Sequence, residues 1–315
     1  MDNDIELVKS QNRLLLTEEG LQPDSPEAIA SLQNVYKRFG KVEALKGISL
    51  QIFPGELLAL LGPNGSGKTT TINILLGRRR ADQGEVLLYG QDPRLPQARK
   101  QIGVTPQETD FPGTLKVKEI LKLVQLHYPY PLSIQEVLER FGLAGLEERQ
   151  TGGLSGGQKR RLALALAFIG NPGAVFLDEP TVGLDVEARR GIWQEMRAFV
   201  QKGGAILLTT HYLEEVEALA SRVVIIDKGQ CIGEGSVEEI KARVALKQVH
   251  FAASRLPELP GVVHVEQVNG KYILSTADAD AVVRSLVQQE IDFQDLEVAP
   301  MKLEDVFLHL TREVV

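Results

Sequence analysis

The sequence predicts an α/β fold built on a parallel sheet, followed by a smaller α+β appendage. Three observations predict it. A continuous apolar run, Leu57–Gly62 (LLALLG), feeds directly into the glycine-rich string GPNGSGKTT at Gly62–Thr70. Further apolar segments, AVFLD at Ala174–Asp178, AILLTTH at Ala205–His211 and RVVIID at Arg222–Asp227, alternate with helical stretches; such alternation builds parallel strands joined by crossover helices. Beyond Val244 the pattern shifts to short strands, with a hairpin signal at Asn269-Gly270.

Composition bounds the rest. The 315 residues are 43% hydrophobic and 24% charged, a soluble globular balance with room for one large domain and a smaller one. The densest apolar run, Leu162–Ile169 (LALALAFI), is far short of the ~18–20 residues that span a bilayer and reads as a buried helix. The opening MDNDIELVKS is acidic and lacks the basic flank of a signal peptide, so the expected location is cytoplasmic, with any membrane reached through a partner. A net charge of −7 argues against non-specific nucleic-acid binding, and no nucleic-acid partner is expected. Arg78-Arg79-Arg80 reads as a solvated turn after a helix. The single cysteine, Cys231, reads as a packing residue.

Element by element, residues 1–27 form an extension broken by Pro23 and Pro26, and the main domain covers 28–244. IASLQNVYKRFG and KGISLQIFPGELLALLG read as strands with a turn at Pro54-Gly55. LLALLG has no polar alternation, as in a strand buried on both faces, and the glycine string after it opens a helix through Leu76. Residues 112–160 form a helical insert. In it Val117, Ile120, Leu121 and Val124 share a face, Tyr128–Pro131 ends the helix, and Ser133 with Glu136 predicts a capping box before a stripe of Ile134, Val137, Leu138 and Phe141 that stops at Gly142. Residues 245–315 form the appendage: strands VHFAA, VVHVEQV and KYILST, a helix over Ala279–Gln289, the strand DFQDLEVA and a closing helix LEDVFLHLT.

The glycine string satisfies the phosphate-loop pattern through Gly62, Gly67, Lys68 and Thr69, in the strand–loop–helix context the pattern requires. Glycines let backbone N–H groups turn inward where a Cβ would clash, and the helix aims its positive end at the same oxygens. Gly62, Pro63, Asn64, Gly65, Ser66, Gly67, Lys68, Thr69 and Thr70 are therefore candidate ATP-binding residues, with Lys68 reaching the β- and γ-phosphates and Thr69 a ligand to Mg²⁺. Asp178 ends an apolar strand and Glu179 follows; such a pair can hold Mg²⁺ and polarise a water. LSGGQ at Leu154–Gln158 precedes an apolar helix, so Ser155, Gly156, Gly157 and Gln158 form a second anion-binding helix start. One site suffices for the chain's own nucleotide, so this one reads as a contact to ATP held by a second subunit.

With these motifs in this order, the chain resembles the nucleotide-binding subunit of an ABC transporter over about residues 29–244. The resemblance implies a mixed-sheet ABC ATPase core, a helical subdomain carrying the signature LSGGQ, and ATP and Mg²⁺ as cofactors. It implies that Phe39, with Tyr36 as runner-up, stacks on adenine; that Gln107 senses Mg²⁺ and the membrane partner; and that Asp178 is the metal-holding aspartate and Glu179 the catalytic base. It further implies that Gly183-Leu184-Asp185 crosses the dimer interface, with Asp185 near the nucleotide, and that His211 contacts the γ-phosphate. The implied partners are a transmembrane permease subunit and a second ATP-binding subunit, most simply an identical one, at the inner face of the cell membrane. HYLEEVEAL and the LEDVFLHLT tail look like the ABC-2 export group, similar to drug- and sodium-export ATPases. Lys116 stands where that family often has a capping Thr. An importer ATPase, or a soluble ABC-type ATPase acting on DNA or ribosomes, shares the same motor; the latter usually joins two cassettes or inserts a long coiled coil, and this sequence does neither.

Overall fold

A computed structural model describes residues 27–106, 110–244 and 246–312. The 1–26 part of the extension and Gln107 therefore lie outside the described residues. The sheet that organises the molecule has six strands in the order β5-β6-β7-β3-β8-β9. They are β3 (Leu57–Leu61), β5 (Ile102–Thr105), β6 (Ala174–Asp178), β7 (Ala205–Thr209), β8 (Arg222–Asp227) and β9 (Gln230–Gly235). All neighbours are parallel except β8 and β9, so the sheet is mixed.

Both faces are covered at β5, β6, β7, β3 and β8, which is why these strands lack polar alternation. Leu58 and Leu60 of β3, Phe176 of β6, Leu207 of β7 and Val224 of β8 point to one core. That core is closed by α1 (Lys68–Leu75) and by an antiparallel sheet of β1 (Ala30–Phe39), β2 (Val42–Ile52) and β4 (Gln83–Leu88). On the other face, Val175, Leu177, Ile206 and Leu208 pack with α2 (Val117–Gln125), α3 (Ile134–Arg140), α4 (Gly156–Phe168) and α5 (Val186–Gln201). Ala59, Leu61, Val223 and Ile225 form a third cluster with α6 (Leu213–Leu219), α7 (Val237–Arg243) and α9 (Leu303–Arg312).

The helical insert follows the apolar stripes read in the sequence: Val117, Leu121, Val137, Leu138 and Phe141 are all buried. Its caps differ in detail. Ser133 accepts from the Glu136 N–H at 3.1 Å, but the Glu136 carboxylate turns toward Arg140, so only half of the expected box forms. At Lys116 the cap runs the other way: its N–H donates to the Glu119 carboxylate at 2.8 Å. Gly142 ends α3 with φ of 61°, a left-handed stop.

Three strands were not anticipated. β4 opens on Gln83-Gly84-Glu85 and β9 carries two glycines and a glutamate, and both are largely exposed, so neither presents a long apolar run. β5 is four residues long, and at Gly103 the backbone of α4 approaches so closely that a Cβ would sit 1.8 Å from the Ala167 carbonyl oxygen. Cys231 lies exposed on β9, not packed. Arg78–Arg80 is an exposed turn after α1.

The appendage is a four-stranded antiparallel sheet, β11-β12-β10-β13, made of β10 (Lys247–Ala253), β11 (Val262–Val268), β12 (Lys271–Thr276) and β13 (Phe293–Pro300). Asn269 and Gly270 both take positive φ, as the two-residue turn between β11 and β12 requires. Helix α8 (Ala279–Gln288) covers one face through Val282 and Leu286 against Val249, Phe251 and Leu274. The closing helix α9 does not join that core. Its Leu303 and Val306 are fully buried in the third cluster of the large sheet, and the Leu303 N–H donates to Glu217 of α6 at 2.8 Å. Leu303→Ala should therefore destabilise the whole molecule by about 2–5 kcal/mol, read as a lowered denaturation midpoint in urea with an unchanged slope.

Candidate nucleotide-binding site

Parallel strands place their carboxyl ends along one edge, where helix N-termini and loops converge. Here β3 delivers the phosphate loop, β6 delivers Asp178 and Glu179, and β7 delivers His211 to that edge. A cleft of about 170 Å³ is lined by Ala44 of β2, Asn64, Gly65, Gly67 to Thr70, Asp178 and Glu179. Most of the phosphate-loop residues read from the sequence thus face one space together with both carboxylates.

The loop is built by local constraints. Gly67 caps α1 with φ of 113°, and a Cβ there would meet Leu45 at 2.7 Å and the Ala44 carbonyl oxygen at 2.8 Å. Gly65 (φ of 80°) has open space around it, so the loop is hollow where a ligand would enter. Ser66 is buried, and its Oγ has no hydrogen-bond partner among the described residues. Lys68 folds back to donate to the carbonyl oxygens of Gly62 (2.7 Å) and Pro63 (3.1 Å). Burial lowers its pKa, opposed by the charges of Glu179 and Asp178. Thr69 and Asp178 are oxygen donors of the hard kind that suits Mg²⁺, an ion that takes few protein ligands and completes its shell with phosphate and water. Among the described residues there is no group of three or more His, Cys, Asp or Glu placed to hold a metal.

The carboxylates are held by their neighbours. Thr209 Oγ donates to Asp178 Oδ1, and the Glu179 N–H donates to the Thr209 carbonyl oxygen at 2.9 Å. Glu179 sits at φ of 50°, a left-handed conformation that costs a non-glycine residue and persists only where the surroundings enforce it. His211 Nδ1 lies 3.5 Å from Glu179 Oε1, and its ring packs on Tyr212 with centroids 4.2 Å apart.

What enforces the Glu179 turn is a residue the sequence reading passed over. Arg160 of α4 is buried, and its guanidinium donates to the carbonyl oxygens of Asp178 (2.6 Å), Glu179 (2.5 Å), Pro180 (2.9 Å) and Pro106 (2.8 Å). Burial lowers its pKa, while Asp178, Glu179 and Glu215 raise it. The signal was available: Arg160 stands at helical spacing from Ala163, Leu164 and Ala167, on the buried face of α4.

The signature residues lie elsewhere. Ser155 caps α4, accepting from the Gln158 N–H at 3.2 Å, while Gln158 Oε1 accepts from the Ser155 N–H at 2.9 Å. Ser155 and Gly156 are exposed. A Cβ on Gly157 would touch Gly183 and Leu184 at 3.7 Å, so the signature and the Gly183–Asp185 loop are adjacent within one chain. Asp185 caps α5, accepting from the Ala188 N–H at 2.8 Å. None of Leu154–Gln158, nor Asp185, is among the residues lining the phosphate-loop cleft. Phe39 closes β1, 40% exposed, with the Arg79 guanidinium 5.3 Å and the Lys37 ammonium 5.5 Å from its ring centre. Tyr36 is turned to Gly47, whose Cβ would fall 2.9 Å from its hydroxyl. Gln107 adjoins this edge in sequence, after Pro106, but lies outside the described residues.

Comparison with known proteins fits this geometry. The ABC transporter family model matches residues 45–182. A Nod factor export ATP-binding protein I of Paraburkholderia xenovorans is 34% identical over 298 residues, 91% of this chain and 98% of the relative. The chain belongs to the ABC transporter family. It is an ATP-binding subunit and an ATPase of that family. A daunorubicin resistance ATP-binding protein of Streptomyces coeruleorubidus is 34% identical over 294 residues, 87% of this cassette chain and 93% of the relative. One relative is named for export and the other for resistance to a drug, in keeping with the resemblance that HYLEEVEAL and the tail suggested. Among solved structures, an ATP-binding subunit of an ABC transporter aligns with a TM-score of 0.64 at 26% identity, covering 68% of this chain and 92% of that one. A dimeric cassette in a post-hydrolysis state with ADP and Pi aligns with a TM-score of 0.60 at 27% identity, covering 66% and 98%.

Arg160→Ala would take a donor from four buried or half-buried carbonyl oxygens and release the Glu179 turn. The expected loss is about 3 kcal/mol or more of stability, measured by chemical denaturation, accompanied by a fall in ATP turnover.

Proposed function

We propose that this cassette powers export through a separate transmembrane permease by closing head to tail with a second copy over two ATP molecules. The observation that carries the reading is the separation just described. Each chain holds a phosphate-loop cleft without the signature, and an exposed signature beside the Gly183–Asp185 loop. A two-fold pair of such surfaces is self-complementary and closes on itself. The dimeric post-hydrolysis neighbour supports it, and the relatives named for Nod factor export and daunorubicin resistance support the direction.

In this reading Gly62–Thr70 cradles the phosphates, Lys68 leaves its carbonyl partners for the β- and γ-phosphates, and Phe39 stacks on adenine, with Arg79 already lying against its ring. Mg²⁺, held by Thr69 and Asp178 with Gln107 nearby, offsets phosphate charge when bound. Glu179 takes the proton of the attacking water, and His211, alongside it, contacts the γ-phosphate. Ser155, Gly156, Gly157 and Gln158 of the partner cassette close over that phosphate, and Asp185 crosses the interface. The cassette proper is residues 28–244, with the helical insert at about 112–160 and an accessory α+β unit at 245–315. No helix of the described residues is long and apolar enough to cross a membrane, so the permease would hold the cassette at the inner membrane face. Leu123, Leu126 and Tyr130 of the insert, exposed and apolar, are the surface we assign to it.

Glu179→Gln should keep ATP binding and accumulate an ATP-dependent dimer in size-exclusion chromatography, while adding Ser155→Arg should return it to monomer without loss of ATP binding. Normal turnover in Glu179→Gln would remove Glu179 from the role of base. Capture of tagged Glu179→Gln with Mg-ATP from detergent-extracted cells should recover a multi-span membrane protein. Recovery of ribosomes or DNA-bound proteins instead would overturn the transport reading.

A further inference from the structure

Glu215 is a fully buried carboxylate that the scheme above does not use. It lies on α6, four residues after His211. Its Oε1 accepts from the Trp193 indole N–H at 2.8 Å. Trp193 belongs to α5, the helix that Asp185 caps. One turn earlier on α5, Arg189 lays its guanidinium over the Tyr212 ring at 4.5 Å, and Tyr212 in turn packs on His211. The hydroxyls of Thr210, beside His211, and of Thr181, just beyond Glu179, face the Glu215 carboxylate. Burial raises the pKa of Glu215; these hydroxyls, the indole and Arg189 oppose it.

Two further features bear on its role. Glu215 Oε2, Thr181 Oγ and Arg189 Nε are all buried, and among the described residues none completes a hydrogen bond of ordinary geometry. Buried polar groups left in that state are costly, and Thr181 and Arg189 both act on the Glu215 carboxylate. Packing alone does not call for a carboxylate here, because an apolar side chain would fill the position without the cost of burying a charge.

We propose that Glu215 is a positioning residue for ATP hydrolysis, a buried latch tying α5 to α6 so that the Gly183–Asp185 loop and His211 move as one body when a partner cassette docks. The proposal rests on the two-cassette reading. The loop lies beside the signature that would touch the partner's ATP, and the histidine lies beside the base acting on the chain's own ATP. Through Glu215, Trp193, Arg189 and Thr181, closure at one nucleotide would set the alignment at the other, and the unmade bonds would form in the closed state.

Trp193 is the only tryptophan in the sequence, so its emission reports this contact without a label. The full-length Glu215→Gln protein keeps an acceptor for the indole but loses the charge. Its kcat should fall at least about tenfold with KM for ATP held within about twofold, the pattern of lost alignment rather than lost binding. In the Glu179→Gln background, Mg-ATP should shift Trp193 emission. Adding Glu215→Gln should abolish that shift while the dimer still forms in size-exclusion chromatography. Wild-type kcat in Glu215→Gln, or an emission shift of unchanged size, overturns the latch. Failure of Glu179→Gln itself to dimerise overturns the two-cassette reading instead, so the two failures are distinct. Should Glu215→Gln not fold, Thr181→Val and Trp193→Phe each remove one donor. A fall in kcat at constant KM supports the latch, and wild-type kcat in both overturns it.

Discussion

The parallel strands of the six-stranded sheet are buried on both faces, and the rest of the molecule follows from that constraint. A strand with Leu58 and Leu60 in one core and Ala59 and Leu61 in another has no face left for a polar side chain. Chemistry is therefore confined to the carboxyl edge, where β3, β6 and β7 run out into loops. There the backbone itself becomes the working surface, through the turned-in loop after β3 and the left-handed Glu179 after β6. Arg160 is the counterpart of that arrangement: a charge taken inside because four carbonyl oxygens at the edge need a donor that the sheet cannot supply.

The parts legible in the sequence share a property: they are local. The phosphate loop is contiguous, its strand and helix flank it, and Asp178-Glu179 ends an apolar run, so pattern and context occur together. The stripes of α2 and α3 and the Asn269-Gly270 turn are equally short-range. The illegible parts are those whose reason lies elsewhere in the chain. β5 is a strand because Gly103 lets α4 in, and β9 because β8 needs an edge partner. Half of the Ser133–Glu136 box is missing because Arg140 competes for the glutamate. Glu215 reads as one acid in an acidic helix, and only the fold reveals what surrounds it.

The site divides along the same line. Lys68, Thr69, Asp178 and Glu179 meet in one cleft, and His211 reaches Glu179, as residues at the ends of neighbouring strands must. Ser155 to Gln158 and Asp185 belong to a different surface, held by capping bonds to their own helices. Those caps fix the orientation of α4 and α5 before any partner arrives, so a second chain would meet preorganised helix ends rather than order them at the cost of binding energy.

The placement of α9 bears on how the chain is made. Ala59 and Leu61 emerge early in synthesis, yet α9, one of the three helices that shelter them, follows the whole appendage sheet. Contacts so distant along the chain are slow to form. During translation the cassette core would be covered on that side by α6 and α7 alone, without Leu303 and Val306, while β10 to β13 assemble. The appendage is in this sense a spacer within the folding pathway, and a ribosome stalled within it would leave a nascent chain with its phosphate loop already written and its hydrophobic seam still unsealed.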